Sequence, residues 1–160
     1  MRLRLIAVGR LRSAAEQLIA EDYFKRAARL GRQLGVMEVS LREVPESRAA
    51  DARRRQAEEA GHLLAAIPPK AHIIALDRQG KELDSEAFAS LLRRMADAGI
   101  ADLVLVIGGP DGLGHDVLER AQVKLSFGRM TWPHRLVRAM LAEQIYRSVT
   151  ILLNHPYHRA

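Results

Sequence analysis

The chain has 160 residues, no cysteine, and 25 Lys and Arg against 19 Asp and Glu, for a formal net charge of +6. That length suits one domain spanning 1–160 with a core of its own, and the missing cysteine excludes disulfides, zinc–thiolate sites and thiol catalysis. The cationic surplus suits an anionic partner, nucleic acid first, or else a basic surface with no partner at all.

The opening MRLRLIAVGR has too short an apolar run for a signal peptide and lacks a small-residue cleavage site. No run of 18 uncharged apolar residues occurs, so no membrane-spanning helix is expected. With no thiol to protect, these features fit the cytoplasm. Residues 3–9 alternate and then turn apolar, which predicts a buried first strand. Residues 13–31 read as a helix, with Ser13 and Glu16 in capping-box spacing and Gly31 as its end. A strand follows over 36–44, then a helix over 46–67 stopped by Pro68 and Pro69. The triple arginine at 53–55 reads as a solvated helix face, with RNA contact as the second reading.

Residues 72–76 form a short strand, and DRQGKEL after it reads as a turn. A helix over 85–99 closes at Gly99, and DLVLVIG (102–108) is the most apolar strand and the expected sheet centre. A short helix (115–122), a short strand (124–127) and a long helix (133–153) complete the chain. Asn154 is placed to end that helix, since asparagine tolerates the left-handed conformation and Pro156 follows. Strand–helix alternation predicts an α/β fold: a mostly parallel sheet with helices on both faces.

Three loops carry the chemistry. VIGGPDGLG (106–114) follows the apolar strand and holds four of the eleven glycines. It sits where α/β sheets bind ligands, outside the carboxyl ends of strands. It is neither G-x-G-x-x-G nor a P-loop, so the dinucleotide and nucleoside-triphosphate readings lose most of their support. A plain tight turn is the structural alternative. IIALD (73–77) ends one strand, and SFGRMTWPH (126–134) leads into the last helix, with Pro133 suited to its first turn. All three loops are apolar, rich in backbone and poor in charge. Such a pocket suits an uncharged aromatic group such as adenine, with Trp132 as a wall; core packing is the other reading for that tryptophan.

IGGPDGLG, MTWPHRLVRAMLAEQIYR and NHPYHR, with LIAVG and ALD..GK earlier, span the chain. Together they resemble the bacterial ribosomal RNA large subunit methyltransferase H family, small members of the SPOUT superfamily. The resemblance implies an α/β knot with a C-terminal trefoil, S-adenosylmethionine as cofactor, and a homodimer. It implies methylation at N3 of a pseudouridine in 23S rRNA within the ribosome, with no metal and no membrane partner. The matching cofactor positions are Leu76, Gly108, Gly109, Gly112 and the segment Phe127, Gly128, Arg129, Met130, Thr131 and Trp132; Pro110 belongs to the same loop. The matching catalytic positions are Tyr157, His158 and Arg159.

On that footing His158 is the first candidate for the base that removes the N3 proton. Tyr157 would stack on or bond to the uracil, and Arg159 or Arg138 would offset its developing negative charge. Glu143 and Arg147 are spaced for a helical ion pair. His155 and His158 alone make a poor metal site, and His134, at a helix start, stands apart without a pattern. Leu136, Ala139, Met140, Ile145, Val149 and Leu152 predict a last helix with apolar surface to spare, which a second copy would cover. Two other functions stay open: a non-catalytic RNA- or ribosome-binding protein of methyltransferase-like fold, and a different small-molecule enzyme using the glycine-rich pocket.

Overall fold

The computed structural model describes residues 1–11 and 15–158. The expected Ser13 cap and the catalytic candidate Arg159 lie outside the described residues. Five strands form one sheet: β1 (Arg2–Val8), β2 (Glu38–Val44), β3 (His72–Glu82), β4 (Asp102–Ile107) and β5 (Val123–Ser126). Their order is β2-β1-β4-β3-β5, and every pairing is parallel. The helices are α1 (Ala15–Gly31), α2 (Ala52–Ala66), α3 (Ser85–Asp97), α4 (His115–Arg120) and α5 (His134–Leu152).

The layout follows from one crossover hand. In the order given, the steps from β1 to β2 and from β3 to β4 go one way, and their helices α1 and α3 share one face with α5. The steps from β2 to β3 and from β4 to β5 go the other way, and α2 and α4 cover the opposite face. A single hand of βαβ connection forces this split. β4 therefore sits between two apolar layers, and Leu103–Val106 lose all contact with solvent, as a run of uninterrupted aliphatics requires.

Local chemistry sets the ends. Asp51 caps α2 by accepting from the Arg54 amide at 2.8 Å, so the helix starts later than the apolar pattern from 46 suggests. Gly31 keeps a helical φ of −63°; a 3₁₀ turn (Arg32–Leu34) continues the chain, and Gly35 takes the left-handed position at φ 75°. Gly99 closes α3 at φ 73° and Asn154 closes α5 at φ 51°, both as expected. The amide of His155 donates to the Thr150 carbonyl at 2.9 Å, which completes the α5 stop.

Two expectations are corrected. DRQGKEL does not leave the sheet as a turn: β3 continues to Glu82, and Leu76 and Lys81 both pair with Leu125 across an irregularity. Gly80 makes this possible, because a Cβ there would lie 2.7 Å from the β5 backbone. The apolar surplus on α5 is smaller than expected, because Ala139, Ile145 and Val149 are buried within the chain against α1 and α3. Leu136 stays exposed, and Met140 and Leu152 are half-buried.

Gly80→Ala should cost about 1–3 kcal/mol and lower the melting temperature by roughly 5 °C, because backbone on β5 cannot move aside as a side chain can. Differential scanning calorimetry checks this, and an unchanged melting temperature would place the close approach elsewhere.

Candidate active site

The carboxyl ends of β3, β4 and β5 open on one side into a cleft of about 230 Å³. Its floor is the segment after β4. Gly109, Pro110, Asp111 and Gly112 form a tight turn in which the Gly112 amide donates to the Gly109 carbonyl at 3.0 Å. Proline presets the second position and Gly112 takes φ 85° at the fourth. Gly108 has no room for more than hydrogen, since a Cβ there would lie 2.6 Å from the Gly112 carbonyl carbon.

The turn is tied to α2. Arg55 Nε meets Asp111 Oδ2 at 2.6 Å, and Gln56 Nε2 donates to the Asp111 carbonyl at 2.6 Å. The guanidinium of Arg55 holds the Asp111 carboxyl below its ordinary pKa through this hydrogen bond. The pair is therefore intact above that range, and its contribution disappears only as pH falls through the lowered value. One arginine of the 53–55 run thus braces the glycine turn, while Arg54 pairs with Glu58 at 3.1 Å. Beneath the turn, Glu59 is buried, with Oε1 accepting from the Ser47 amide at 3.0 Å and Oε2 unpartnered. Burial pushes this carboxyl above its ordinary value.

The opposite wall is the 127–132 segment. Ser126 Oγ accepts from the Gly128 amide at 3.1 Å, and the Trp132 indole donates to the Phe127 carbonyl at 3.3 Å. Gly128 takes φ 101°. Phe127, Gly128, Met130, Thr131 and Trp132 line the cleft, with Leu76 from β3 and Gly108, Gly109, Pro110 and Gly112 from the turn. Arg129 does not line it. Asp77, Arg78, His134 and Val137 do; Asp77 and His134 belong to the loops singled out in the sequence, whereas Arg78 and Val137 do not. The signal available for the first two was their position directly after Leu76. An apolar wall facing exposed backbone fits a flat uncharged ring such as adenine, held by main-chain hydrogen bonds.

The catalytic candidates fall elsewhere. Arg138 is fully buried: Nη1 pairs with Glu43 at 2.7 Å, and Nη2 donates to the Val8 and Gly9 carbonyls. Within one chain that is a structural clamp, a role the sequence reading did not assign to Arg138, and Nε alone lacks a partner. Tyr157 packs edge-on against Tyr146 with ring centroids 4.7 Å apart. Its hydroxyl donates to Glu143 at 3.1 Å and lies 3.3 Å from that of Tyr23. Burial and these partners hold its phenol neutral, far above the ordinary value. Glu143 also pairs with Arg147 at 2.6 Å. His158 lies 3.8 Å from Glu86, with Nδ1 buried and unpartnered. Neither Tyr157 nor His158 lines the cleft of its own chain. Among the described residues, no three His, Asp or Glu side chains gather as a metal site, and no helix is long and apolar enough to cross a membrane.

Comparison with known proteins puts names beside this geometry. A family described as "Predicted SPOUT methyltransferase" matches residues 1–158. A protein of Bradyrhizobium diazoefficiens, "Ribosomal RNA large subunit methyltransferase H", is 50% identical over 100% of both chains. One of the same name from Rhizobium leguminosarum bv. trifolii is 51% identical over 99% of each. Among solved structures, a probable methyltransferase from Bordetella pertussis Tohama I aligns with a TM-score of 0.49 at 16% identity, covering 92% of this chain and 95% of that one.

Gly108→Ala should weaken S-adenosylmethionine binding at least about tenfold, or some 1.4 kcal/mol, because its methyl group must displace the Gly112 backbone. Isothermal titration calorimetry on the folded variant is the check, and wild-type affinity would remove the turn from the cofactor site.

Proposed function

The chain belongs to the SPOUT methyltransferase family, and from that premise we propose that it transfers a methyl group from S-adenosylmethionine to N3 of a pseudouridine in 23S ribosomal RNA. The substrate is the assembled ribosome, and the protein works in the cytoplasm as a homodimer of one-domain chains. The observation that carries this reading is the convergence of the 108–112 turn, Leu76 and the 127–132 segment on one cleft at the carboxyl edge of the sheet. The full-length identity to relatives named for methylation of large-subunit ribosomal RNA gives the substrate class. The C-terminal trefoil knot is part of the same proposal, and its support is the family.

Bound S-adenosylmethionine supplies a methyl group already activated on a sulfonium centre. The chain's work is to hold donor and acceptor in line, which can account for much of the rate. Backbone at 108–112 and 127–132 holds the adenine, with Leu76 and Trp132 as apolar walls. The target base has to leave its stack to reach the cleft. N3 carries a proton that must be removed, and within the tail His158 is the candidate acceptor.

The tail serves the cleft of the other subunit in this reading. Tyr157 is anchored by Tyr146 and Glu143 at a site outside its own cleft. That anchor restrains the chain as far as His158. Exposed Leu136 and Trp132, with half-buried Met140 one turn on from Leu136, supply the apolar surface for the two-fold contact. Arg159 then offsets charge on the uracil, and the +6 surface draws the protein to the RNA.

Ribosomes from a strain lacking the modification should gain one methyl group at N3 of the pseudouridine, identified by mass spectrometry of the nucleoside. Deleting 158–160, which spares the Tyr157 anchor, should abolish transfer and leave S-adenosylmethionine affinity within about threefold. RNA affinity should fall by about tenfold or more from low to physiological salt. Full transfer by the truncated protein would return the tail to a frayed end, and a monomer by sedimentation at micromolar concentration would refute the shared site.

A further inference from the structure

His134 is the histidine that the proposed reaction leaves without a task. It starts α5 and lines the cleft between the glycine turn and the 127–132 segment. It makes no hydrogen bond or ion pair among the described residues. The other five histidines are each placed away from the cleft. His62 faces the Pro45 carbonyl at 3.2 Å, and His72 opens β3 at the opposite end of the sheet. His115 pairs with Glu119 on the exposed face of α4, and His155 accepts from the Tyr157 amide. His158 lies beside Glu86 on α3.

The surroundings of His134 suit a group that gains a proton briefly. The chain at Gly9 takes φ 85°, and three side chains approach the space above it. A Cβ at that position would lie 3.4 Å from Glu46 Oε2, 3.7 Å from Arg138 Nη2 and 3.9 Å from His134 Nε2. Arg138 is offset by Glu43 at 2.7 Å. Glu46 favours imidazolium, though less than Arg138 opposes it. Arg135, next on α5, opposes it, and Asp77, Arg78 and Asp111 face the same cleft. Burial, followed by Arg138, keeps the resting imidazole below its ordinary pKa and hence neutral near pH 7. The helix N-terminus acts in the same direction.

We infer that His134 is the proton acceptor for N3 of the target pseudouridine, with Glu46 as the carboxylate that steadies the imidazolium. The inference rests on the proposed methyl transfer and moves the base from the tail into the cleft's own chain. In the step, the N3–H proton passes to a free imidazole nitrogen and the N3 electron pair forms the new bond to carbon. The carbon–sulfur bond breaks and sulfur keeps its electron pair, so S-adenosylhomocysteine and imidazolium remain. The imidazolium then returns its proton to water.

The test is single-turnover methyl transfer to unmodified ribosomes across pH, with calorimetry of S-adenosylmethionine binding on each protein. Wild type should lose rate toward acid as the imidazole protonates. His134→Gln should lose about 10²-fold or more in rate and lose that acid limb, with cofactor affinity within about threefold. Glu46→Gln should move the limb to lower pH, since removing the carboxylate makes the imidazolium harder to form. His158→Gln should keep the limb where it is. The inference is overturned if His134→Gln keeps the wild-type rate and limb, if its loss of rate only tracks a loss of cofactor binding, or if His158→Gln removes the limb. Should His134→Gln not fold, the Glu46→Gln profile decides, and an unmoved limb counts against the assignment. Wild-type protein that leaves N3 unmodified would sink the proposed function itself, a failure visible before any substitution.

Discussion

One buried guanidinium holds the working end of this molecule together. Arg138, with no solvent exposure, reaches from the second turn of α5 to the last carbonyls of β1 and to Glu43 on β2. Burying such a charge is costly, and a single partner rarely offsets it. Here a carboxylate and two carbonyls share the task, while Nε stays unpartnered. The clamp fixes the start of α5 against the carboxyl end of the sheet. Everything between β5 and α5 must then span a set gap, and that span is the 127–132 wall. The position of His134, one turn before Arg138 on the same helix, follows from the same contact. Truncating Arg138 would leave the half-buried Glu43 with only the Leu11 amide as partner and free the start of α5, so its loss would spread to the cleft as well as to stability.

Much of this was legible in the sequence for a physical reason. A parallel sheet buried on both faces needs continuous apolar strands and long connecting helices, and both patterns survive in single-sequence reading. DLVLVIG announced the sheet centre because nothing but aliphatic side chains can occupy it. Turn chemistry was legible where φ is forced, as at Gly99 and Asn154. It misled at Gly80. Glycine serves two ends, positive φ and close backbone approach, and sequence cannot say which. Here β5 lies against the missing side chain, so the predicted turn is a strand.

Site chemistry was less legible, because charge does not reveal its partner. Arg138 and Arg147 are both arginines of the last helix, yet one is a sealed clamp and the other pairs with Glu143 beside the tail. The run at 53–55 read as a solvated face, and Arg54 fits that description. Arg55 does not, since it reaches across to Asp111 in the glycine turn. His134 ended a loop singled out in the sequence but had no role assigned to it. Its place in the cleft arises from the fold, which brings the start of the last helix beside the end of the first strand, 125 residues earlier.

The tail shows how an end can be ordered without a helix or strand of its own. Asn154 stops α5 and Pro156 limits the next turn. Tyr157 then folds back so that its ring meets Tyr146 and its hydroxyl meets Glu143. That carboxylate is shared with Arg147, whose guanidinium lies 5.2 Å from the Tyr157 ring centre. A half-buried phenol in such company cannot ionise near neutrality, so it offers a neutral donor and an aromatic face and nothing basic. In the proposed reaction that leaves the imidazoles as the side chains that titrate closest to neutrality. The tail's imidazole sits against Glu86 on α3 and does not line the cleft. Within one chain the tail folds back onto α3 and α5, while the cleft carries an imidazole of its own at the start of α5.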